Sequence, residues 1–167
     1  TIRRRQFLAT AAAGVLAGLG APGRLTPAAA QEPIRIGVLT PLTGGGAVYG
    51  TAMSRMYTAL ADDINRAGGV LGRRLQLFTE DTQTNPDAGV RGARKLVDVN
   101  RVHVIMGTWS SAVTLAVAPI AVAAGIPLFC VSSSPAITTY KDNDLLYRTA
   151  YSQAVMARVY ALTAHKL

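Results

Sequence analysis

Small hydroxyl and aromatic side chains follow three apolar segments of this sequence, each of which is predicted to be a strand. The side chains therefore lie just beyond the strand ends. Hydroxyl donors next to the free N–H groups of a helix N-terminus bind anions, carboxylates in particular. Flat aromatic side chains are suited to the wall of a small pocket. The candidate ligand-binding residues are Tyr49, Trp109, Ser110, Ser111, Ser132, Ser133 and Ser134. Their types predict non-covalent binding of a small carboxylate-bearing ligand.

Each of these residues also has a plainer interpretation. Ser110 and Ser111 fit the N-cap position of a helix, where a hydroxyl satisfies free backbone N–H groups. The run from Ser132 to Ser134 fits a solvated turn, and Trp109, the sole tryptophan, fits a hydrophobic core as well as a pocket wall. The residue types alone leave these alternatives open.

A glycine-rich segment, 43–50, follows the first strand and invites a nucleotide-binding interpretation. A dinucleotide fingerprint needs glycine at its first, third and sixth positions, and counting from Gly44 the sixth residue is Tyr49. A phosphate-binding loop would end in a Lys-Ser or Lys-Thr pair, which this segment lacks. Glu80 and Asp81 at the end of the second strand lie where a dinucleotide enzyme keeps its ribose-binding acid. An exported dinucleotide-dependent oxidoreductase is therefore the alternative function.

The residues that could perform catalysis or bind metal are sparse. His103 lies in the predicted third strand, where a hydrogen-bonded structural role is expected, and the Gly-x-Ser-x-Gly elbow of serine hydrolases is absent. Cys130 is the single cysteine, which excludes an internal disulfide and a cysteine metal cluster. The sequence predicts a binding protein rather than an enzyme, with neither a metal nor a cofactor.

Alternating apolar strands and amphipathic helices must position the candidate residues. Strands are predicted at 34–40, 75–78, 102–106, 126–131 and 145–148, with a helix after the first, second, third and fifth strands. This alternation predicts an α/β fold, a Rossmann-like parallel sheet with helices on both faces. Ligands of such sheets bind at the carboxyl ends of the strands.

The first thirty residues predict export from the cytoplasm to the periplasm. Arg3, Arg4 and Arg5 precede an apolar run at 7–19, and a small-residue stretch ends at Ala30, where cleavage is expected. Arg4-Arg5-Gln6-Phe7-Leu8 resembles the twin-arginine export motif, and an ordinary Sec signal is the alternative. The apolar run is shorter than the roughly 20 residues that a membrane span needs.

The net charge of +8 is concentrated in that first segment. Without residues 1–30 the chain has 13 Lys and Arg against 9 Asp and Glu, a net charge of +4. The remaining basic residues are scattered and have no aromatic residues between them, so nucleic acid is not an expected partner.

A succession of motifs resembles the type I periplasmic solute-binding proteins of ABC importers, in particular the group that binds branched-chain amino acids (Leu/Ile/Val) and amides. The most extended motif is Asp-Ile-Asn-Arg-Ala-Gly-Gly-Val-Leu-Gly at 63–72, and others are at 34–44, 49–50, 80–82, 85–86, 93–96, 117–120, 124–128 and 147–149. The resemblance implies a two-lobed receptor that closes on a small solute and delivers it to an ABC permease in the membrane, without chemistry on the solute.

The resemblance also implies residue roles and domain limits. Tyr49 matches the aromatic wall of the first lobe, Ser111 the serine that holds the ligand carboxylate, and Ser133 the hydroxyl that shares it, with Ser132 and Ser134 as alternatives. Thr108-Trp109-Ser110 replaces a Pro-Leu-Asn sequence that is frequent in the family, which implies either a narrower pocket or a different ligand preference. The expected organisation is a signal peptide at 1–30, an N-terminal ligand-binding lobe at 31–150 and the truncated start of a second lobe at 151–167. The chain is accordingly expected to be a fragment of a longer protein.

Overall fold

The computed structural model describes residues 31–140 and 144–165. Residues from Glu32 onward form a compact unit of their own. The predicted signal segment lies outside the described residues, and the fold below is that of this unit.

Five parallel strands form a single sheet in the order β2-β1-β3-β4-β5. The strands are β1 (Ile34–Thr40), β2 (Leu75–Asp81), β3 (Val104–Thr108), β4 (Leu128–Cys130) and β5 (Leu146–Arg148). The helices are α1 (Ala47–Arg66), α2 (Pro86–Arg94), α3 (Ser111–Ala123) and α4 (Gln153–Ala164), and a π-helical turn (Lys95–Val99) extends α2. A short 3-10 turn (Pro135–Ile137) follows β4.

Helices cover both faces of the sheet, as the α/β prediction requires. Ile36 of β1 contacts the α1 face, where it lines an apolar cavity with Tyr57 and Leu60. Residues of opposite parity point to the other face, since Leu39 lies against Gly92 of α2. The hydrophobic core on that second face lies between the sheet, α2 and α3. It includes Leu39, Leu96, Ile105, Val113, Val117 and Leu128.

The predicted strands are all present, but several boundaries differ. β2 extends through Asp81 because it pairs with β1 along its whole length, up to Thr40 opposite Asp81. β3 begins at Val104 and continues to Thr108, so His103 precedes the strand and does not lie within it. β4 has only three residues, and its Phe129 stacks on Tyr147 of β5 with ring centroids 4.8 Å apart.

The start of α2 follows the sequence rule for helix capping. The Asn85 side chain accepts hydrogen bonds from the N–H groups of Asp87 (2.8 Å) and Ala88 (3.1 Å). Pro86 occupies the first turn, where its missing N–H costs nothing, and Asp87 complements the positive end of the helix dipole. The local sequence alone therefore predicts where this helix begins.

A strained turn joins Val70 to Arg73, which exchange two backbone hydrogen bonds of 2.9 and 3.0 Å. Leu71 (φ 52°) and Gly72 (φ 76°) are both left-handed, as in a type I′ turn, and the Leu71 side chain is 90% exposed. Asparagine tolerates this conformation much better than leucine. We expect Leu71→Asn to raise the free energy of unfolding by about 1 kcal/mol, measured by thermal unfolding. Leu71→Ala keeps the strain and should change stability little; an equal gain from both variants would contradict the argument.

Within the described residues, no helix is long and apolar enough to cross a membrane.

Candidate ligand-binding site

The loops that follow β1, β3 and β4 meet at the carboxyl edge of the sheet. Tyr49, in the first turn of α1, stacks on Trp109 in the loop after β3. Ser134, in the loop after β4, donates its backbone N–H to the Ser111 hydroxyl at the start of α3, at 3.3 Å. These two contacts bring the three predicted segments together at the end of the sheet where ligands of such folds bind.

Tyr49 and Trp109, here called the aromatic pair, form one wall of this region. Their ring centroids are 4.9 Å apart and their planes differ by 14°. Tyr49 is 56% exposed, whereas Trp109 is half-buried. Gly46 lies under the indole, and a Cβ at Gly46 would be 2.8 Å from Trp109 Cε3. Trp109 thus joins the loop after β1 to the loop after β3, and it remains partly accessible.

Gly107 makes the placement of Trp109 possible. Its φ of 98° is a conformation that residues with a side chain rarely adopt, and the pairing of β3 with β4 shifts register between Met106 and Thr108. Such a bulge redirects the strand end. The direction of Trp109 therefore follows from a glycine two residues before it.

The N-terminus of α3 presents unpaired donors. Ser110 is the N-cap residue, but its hydroxyl makes no capping hydrogen bond, so simple capping does not account for it. The Ser111 hydroxyl accepts from Ser134, which leaves its own proton available for an acceptor. The N–H groups of the first helical turn have no partner within the helix. This end of α3 can therefore donate several hydrogen bonds to a carboxylate.

The three consecutive serines after β4 have different surroundings. Ser132 is 1% exposed, and its hydroxyl contacts Thr114 Oγ1 (2.5 Å) and the carbonyls of Thr108 (3.1 Å) and Trp109 (3.0 Å). Ser134 Oγ accepts from Ala136 N at 3.3 Å and caps the 3-10 turn. The structure thus places the Ser132 hydroxyl inside the protein as a link between two loops, and its assignment as a ligand-binding residue stays a prediction.

Ser133 is the serine of this run that keeps an uncommitted hydroxyl. Its carbonyl accepts from Gln153 N (2.8 Å), and no hydrogen bond of its hydroxyl is found among the described residues. Ser110, Ser111 and Ser133 are called the hydroxyl cluster below. Among the described residues, no acceptor is found for the hydroxyl protons of these three serines, and the same holds for Ser134, whose oxygen accepts from Ala136 N.

Removing the Ser132 hydroxyl should be costly because the hydroxyl is buried and bonded. We expect Ser132→Ala to lower the free energy of unfolding by about 1 to 2 kcal/mol, since it unpairs buried polar groups. Urea titration of both variants gives the measurement. Ser133→Ala is the matched control and should cost less than about 0.5 kcal/mol; similar losses for the two would refute the assignment.

The carboxylates of Glu80 and Asp81, at the end of β2, already bind other groups of the protein. Asp81 Oδ1 accepts from the N–H groups of Leu42 (2.8 Å), Thr43 (3.2 Å) and Gln83 (2.8 Å), and Oδ2 accepts from the Thr43 hydroxyl (2.6 Å). Glu80 forms an ion pair with Lys95 at 2.6 Å. Neither carboxylate is presented to a ribose in the manner that the oxidoreductase alternative needs.

The pKa of Asp81 is shifted by these contacts. Partial burial raises the pKa, but the hydrogen bonds from Thr43, Gln83 and Leu42 outweigh burial and the net pKa is lowered. A lowered folded-state pKa stabilises the fold above the unfolded value near 4, and this stabilisation is lost as the pH falls through the folded value. We expect the stability advantage of the wild type over Asp81→Asn to be constant above about pH 5 and to shrink below pH 4. Urea unfolding between pH 3 and 7 measures it, and a difference independent of pH would contradict the prediction.

His103 lies at the opposite end of β3 from the site. Its Nδ1 accepts a hydrogen bond from Arg35 N at 2.9 Å, and the residue is exposed. The hydrogen-bonded structural role expected for this histidine is confirmed.

Among the described residues, no group of three or more His, Cys, Asp or Glu side chains is arranged to hold a metal ion.

Arg148 is a residue near the site that the sequence analysis did not select. It ends β5 and donates from Nη1 to the Ser134 carbonyl at 3.0 Å. The half-buried guanidinium supports the loop after β4 and adds positive charge beside it. Its position at the carboxyl end of a predicted strand was the signal that could have identified it.

Comparison with known proteins adds a family match. A family model described as periplasmic binding protein matches residues 33–166. The Leu/Ile/Val-binding protein homolog 8 of Brucella abortus is 32% identical over 130 residues, which are 78% of this chain and 32% of that protein. The chain spans about a third of the length of the curated relatives it matches.

Two solved structures show the same fold with different ligands. The branched-chain amino acid transporter substrate-binding protein LivJ of Streptococcus pneumoniae, in complex with isoleucine, has a TM-score of 0.69 and 27% identity over 73% of this chain and 35% of that one. A solute-binding protein of an ABC transporter from Rhodopseudomonas palustris, in complex with 3,4-dihydroxybenzoic acid, has a TM-score of 0.65 and 26% identity over 74% and 33% of the two chains. Similar chains therefore bind either an aliphatic amino acid or an aromatic acid.

Proposed function

The chain belongs to the periplasmic binding protein family, and from that membership we propose that it forms part of an extracytoplasmic receptor of an ABC importer. The solute that we propose is a small carboxylate-bearing or amide compound, a branched-chain amino acid or a relative of one. The family is one of binding proteins, in agreement with the sequence prediction of a binding protein rather than an enzyme.

The observation that carries the proposal is the position of the aromatic pair next to the hydroxyl cluster at the N-terminus of α3. The Ser111 hydroxyl proton, the hydroxyls of Ser110 and Ser133, and the free N–H groups of the first turn can donate to one carboxylate. The exposed face of Tyr49 supplies an apolar wall for the rest of the solute. Together these groups would orient a small acid without altering it.

Three of the similar proteins indicate which solutes to test. Brucella and Streptococcus relatives are named for branched-chain amino acids, and one is bound to isoleucine. The Rhodopseudomonas structure holds an aromatic acid. Because Trp109 adds a second ring next to Tyr49 in this chain, aromatic carboxylates belong in the test beside leucine, isoleucine and valine.

The oxidoreductase alternative finds no support in the relatives described above. Asp81, its best candidate residue, is held by hydrogen bonds to the loop after β1. Nicotinamide dinucleotides are included in the binding test only as compounds that we expect not to bind.

Export and domain organisation form part of the same proposal. We propose that residues 1–30 direct export to the periplasm, that residues 31–150 belong to the first lobe and that residues 151–167 begin a second lobe. The membrane partner that we propose is an ABC permease. The helix α4 supports this division, because none of its residues is buried and Val155, Val159 and Leu162 are exposed. An apolar helix without a partner surface is the expected state of an element that belongs to a different lobe.

The function is tested by solute binding to the protein expressed from its whole gene. A thermal-shift screen of amino acids, amides, aromatic carboxylates and nicotinamide dinucleotides comes first, followed by calorimetry. A solute at a hundred times its Kd should add about 2.7 kcal/mol of stability. We expect a small carboxylate or amide to stabilise the protein and to be recovered unchanged; stabilisation by dinucleotides alone would overturn the proposal.

Ser111→Ala tests the carboxylate contact. Loss of a hydrogen bond to a charged group costs about 1.5 to 3 kcal/mol, so Kd should rise by roughly tenfold or more. Ser54→Ala, a serine on α1 away from the site, is the control and should leave Kd unchanged. An unchanged Kd for Ser111→Ala would remove Ser111 from the site.

A further inference from the structure

Two side chains, one at the last residue of β2 and one in the turn after it, bind the loop after β1, residues 41–46. The Asp81 carboxylate accepts from the backbone of Leu42 and Thr43 and from the Thr43 hydroxyl. Thr84 Oγ1 accepts from Gly46 N at 2.8 Å and donates to the Thr43 carbonyl at 3.4 Å. Each of these hydrogen bonds joins two residues that are 38 to 41 positions apart in the sequence.

The turn that contains Thr84 has a strained backbone, and this backbone conformation places Thr84 at its contacts with the loop after β1. Gln83 (φ 52°) and Thr84 (φ 57°) are consecutive left-handed residues, a conformation that side chains other than glycine disfavour. Opposite them, Gly44 (φ 78°) lies so close to the Gln83 carbonyl that a Cβ would collide with it. Strain of this kind persists where surrounding contacts require it. Here those contacts are the ones that join the two loops.

The loop in turn determines where the aromatic pair lies. Gly46, whose N–H is bonded to Thr84, is the residue before α1, and its carbonyl accepts from Tyr49 N at 3.0 Å. Its Cα also lies against the indole of Trp109. A displacement of Gly46 therefore moves the first turn of α1 with Tyr49 and loosens the surface on which Trp109 rests.

We propose that Asp81 and Thr84 are positioning residues of the ligand site, which keep the aromatic pair beside the hydroxyl cluster without touching the solute. The ligand-binding consequence rests on the proposed function, whereas the effect on the aromatic pair does not. Asp81 binds the first part of the loop and Thr84 bridges Thr43 and Gly46, so loss of either residue should disturb the same wall.

The test uses the whole protein with Trp109 as its optical reporter in the first lobe. Asp81→Ala and Thr84→Val remove the hydrogen bonds, and Thr84→Val preserves side-chain shape. Asp81→Asn and Thr84→Ser keep an acceptor and serve as rescuing variants. Glu80→Ala removes the neighbouring carboxylate, which is paired with Lys95 and makes none of the loop contacts, and it is the matched control. The difference between the wild-type and Trp109→Phe spectra identifies the signal of Trp109 in emission and near-ultraviolet circular dichroism.

Asp81→Ala and Thr84→Val should each change the Trp109 spectrum and raise the Kd for L-leucine or benzoate by about tenfold or more, with far-ultraviolet circular dichroism unchanged. The rescuing variants should recover most of both signals, and Glu80→Ala should match the wild type. If Thr84→Val lowers only the unfolding temperature and leaves the spectrum and Kd as in Glu80→Ala, the proposal is overturned. If the wild type binds no solute, the proposed function fails, and the Trp109 spectrum alone then decides the positioning role.

Discussion

Gly50→Ala is expected to lower the free energy of unfolding by about 2 to 3 kcal/mol, although alanine is the better helix former by about 1 kcal/mol. Gly50 is buried in the first turns of α1, where the chain crosses Pro41. A Cβ at this position would collide with the Pro41 carbonyl and lie 2.9 Å from Pro41 Cδ. A backbone carbonyl cannot turn away as a flexible side chain can, so either α1 or the loop must shift.

Gly45→Ala is the matched control for Gly50→Ala. Gly45 is exposed, and a Cβ there would have no heavy atom within 4 Å. Its stability should change by less than about 0.5 kcal/mol in the same urea titration. If Gly50→Ala were neutral or stabilising, the close approach of α1 to Pro41 would be wrong, and with it the anchoring of Tyr49 one residue away.

Leu96→Ala should be the most damaging single change in the core, with a loss of about 2 to 5 kcal/mol. Leu96 is fully buried between the sheet and the helix α2, at the π-helical turn. Its removal leaves a cavity against β1, where Leu96 Cδ1 lies 3.0 Å from the position of a Gly37 Cβ. Equilibrium unfolding in urea measures the loss.

The contact between Leu96 and Gly37 permits a double-mutant test. Gly37→Ala alone forces a methyl group against Leu96 and Val102 and should destabilise the protein by about 1 to 3 kcal/mol. In the double variant the added methyl group occupies part of the cavity, so the combined loss should be smaller than the sum of the single losses. Strict additivity would show that the two residues do not share this space.

The order of elements and the edge of the sheet that carries the site could be predicted from sequence because both follow from local patterns. Apolar runs of β-branched residues indicate buried parallel strands, and the Asn85-Pro86-Asp87 sequence indicates the start of α2. In a parallel sheet the carboxyl ends of the strands share one edge. The candidate loops therefore had to be neighbours, whatever their contacts.

The boundaries of β2 and β3 were harder to predict from the sequence, because the end of a strand depends on the partner strand. Asp81 is part of β2 through its pairing with Thr40, and nothing in the Glu80-Asp81 sequence itself indicates a strand. The same holds for Thr108, which pairs with Cys130 beyond the bulge. Strand length is a property of two chain segments and appears in neither one alone.

What the sequence determined by itself is the α/β fold, the family and the set of loops that we propose as the site, since these depend on periodicity and on short motifs. Only the tertiary structure decided which members of that set are available. It buried the Ser132 hydroxyl, left that of Ser133 uncommitted and turned Asp81 from a candidate ribose ligand into a support for the loop after β1. The physical reason is that the hydrogen-bond partners of a hydroxyl or carboxylate decide whether it is available, and here all of them except Gln83 lie 18 to 39 residues away along the chain.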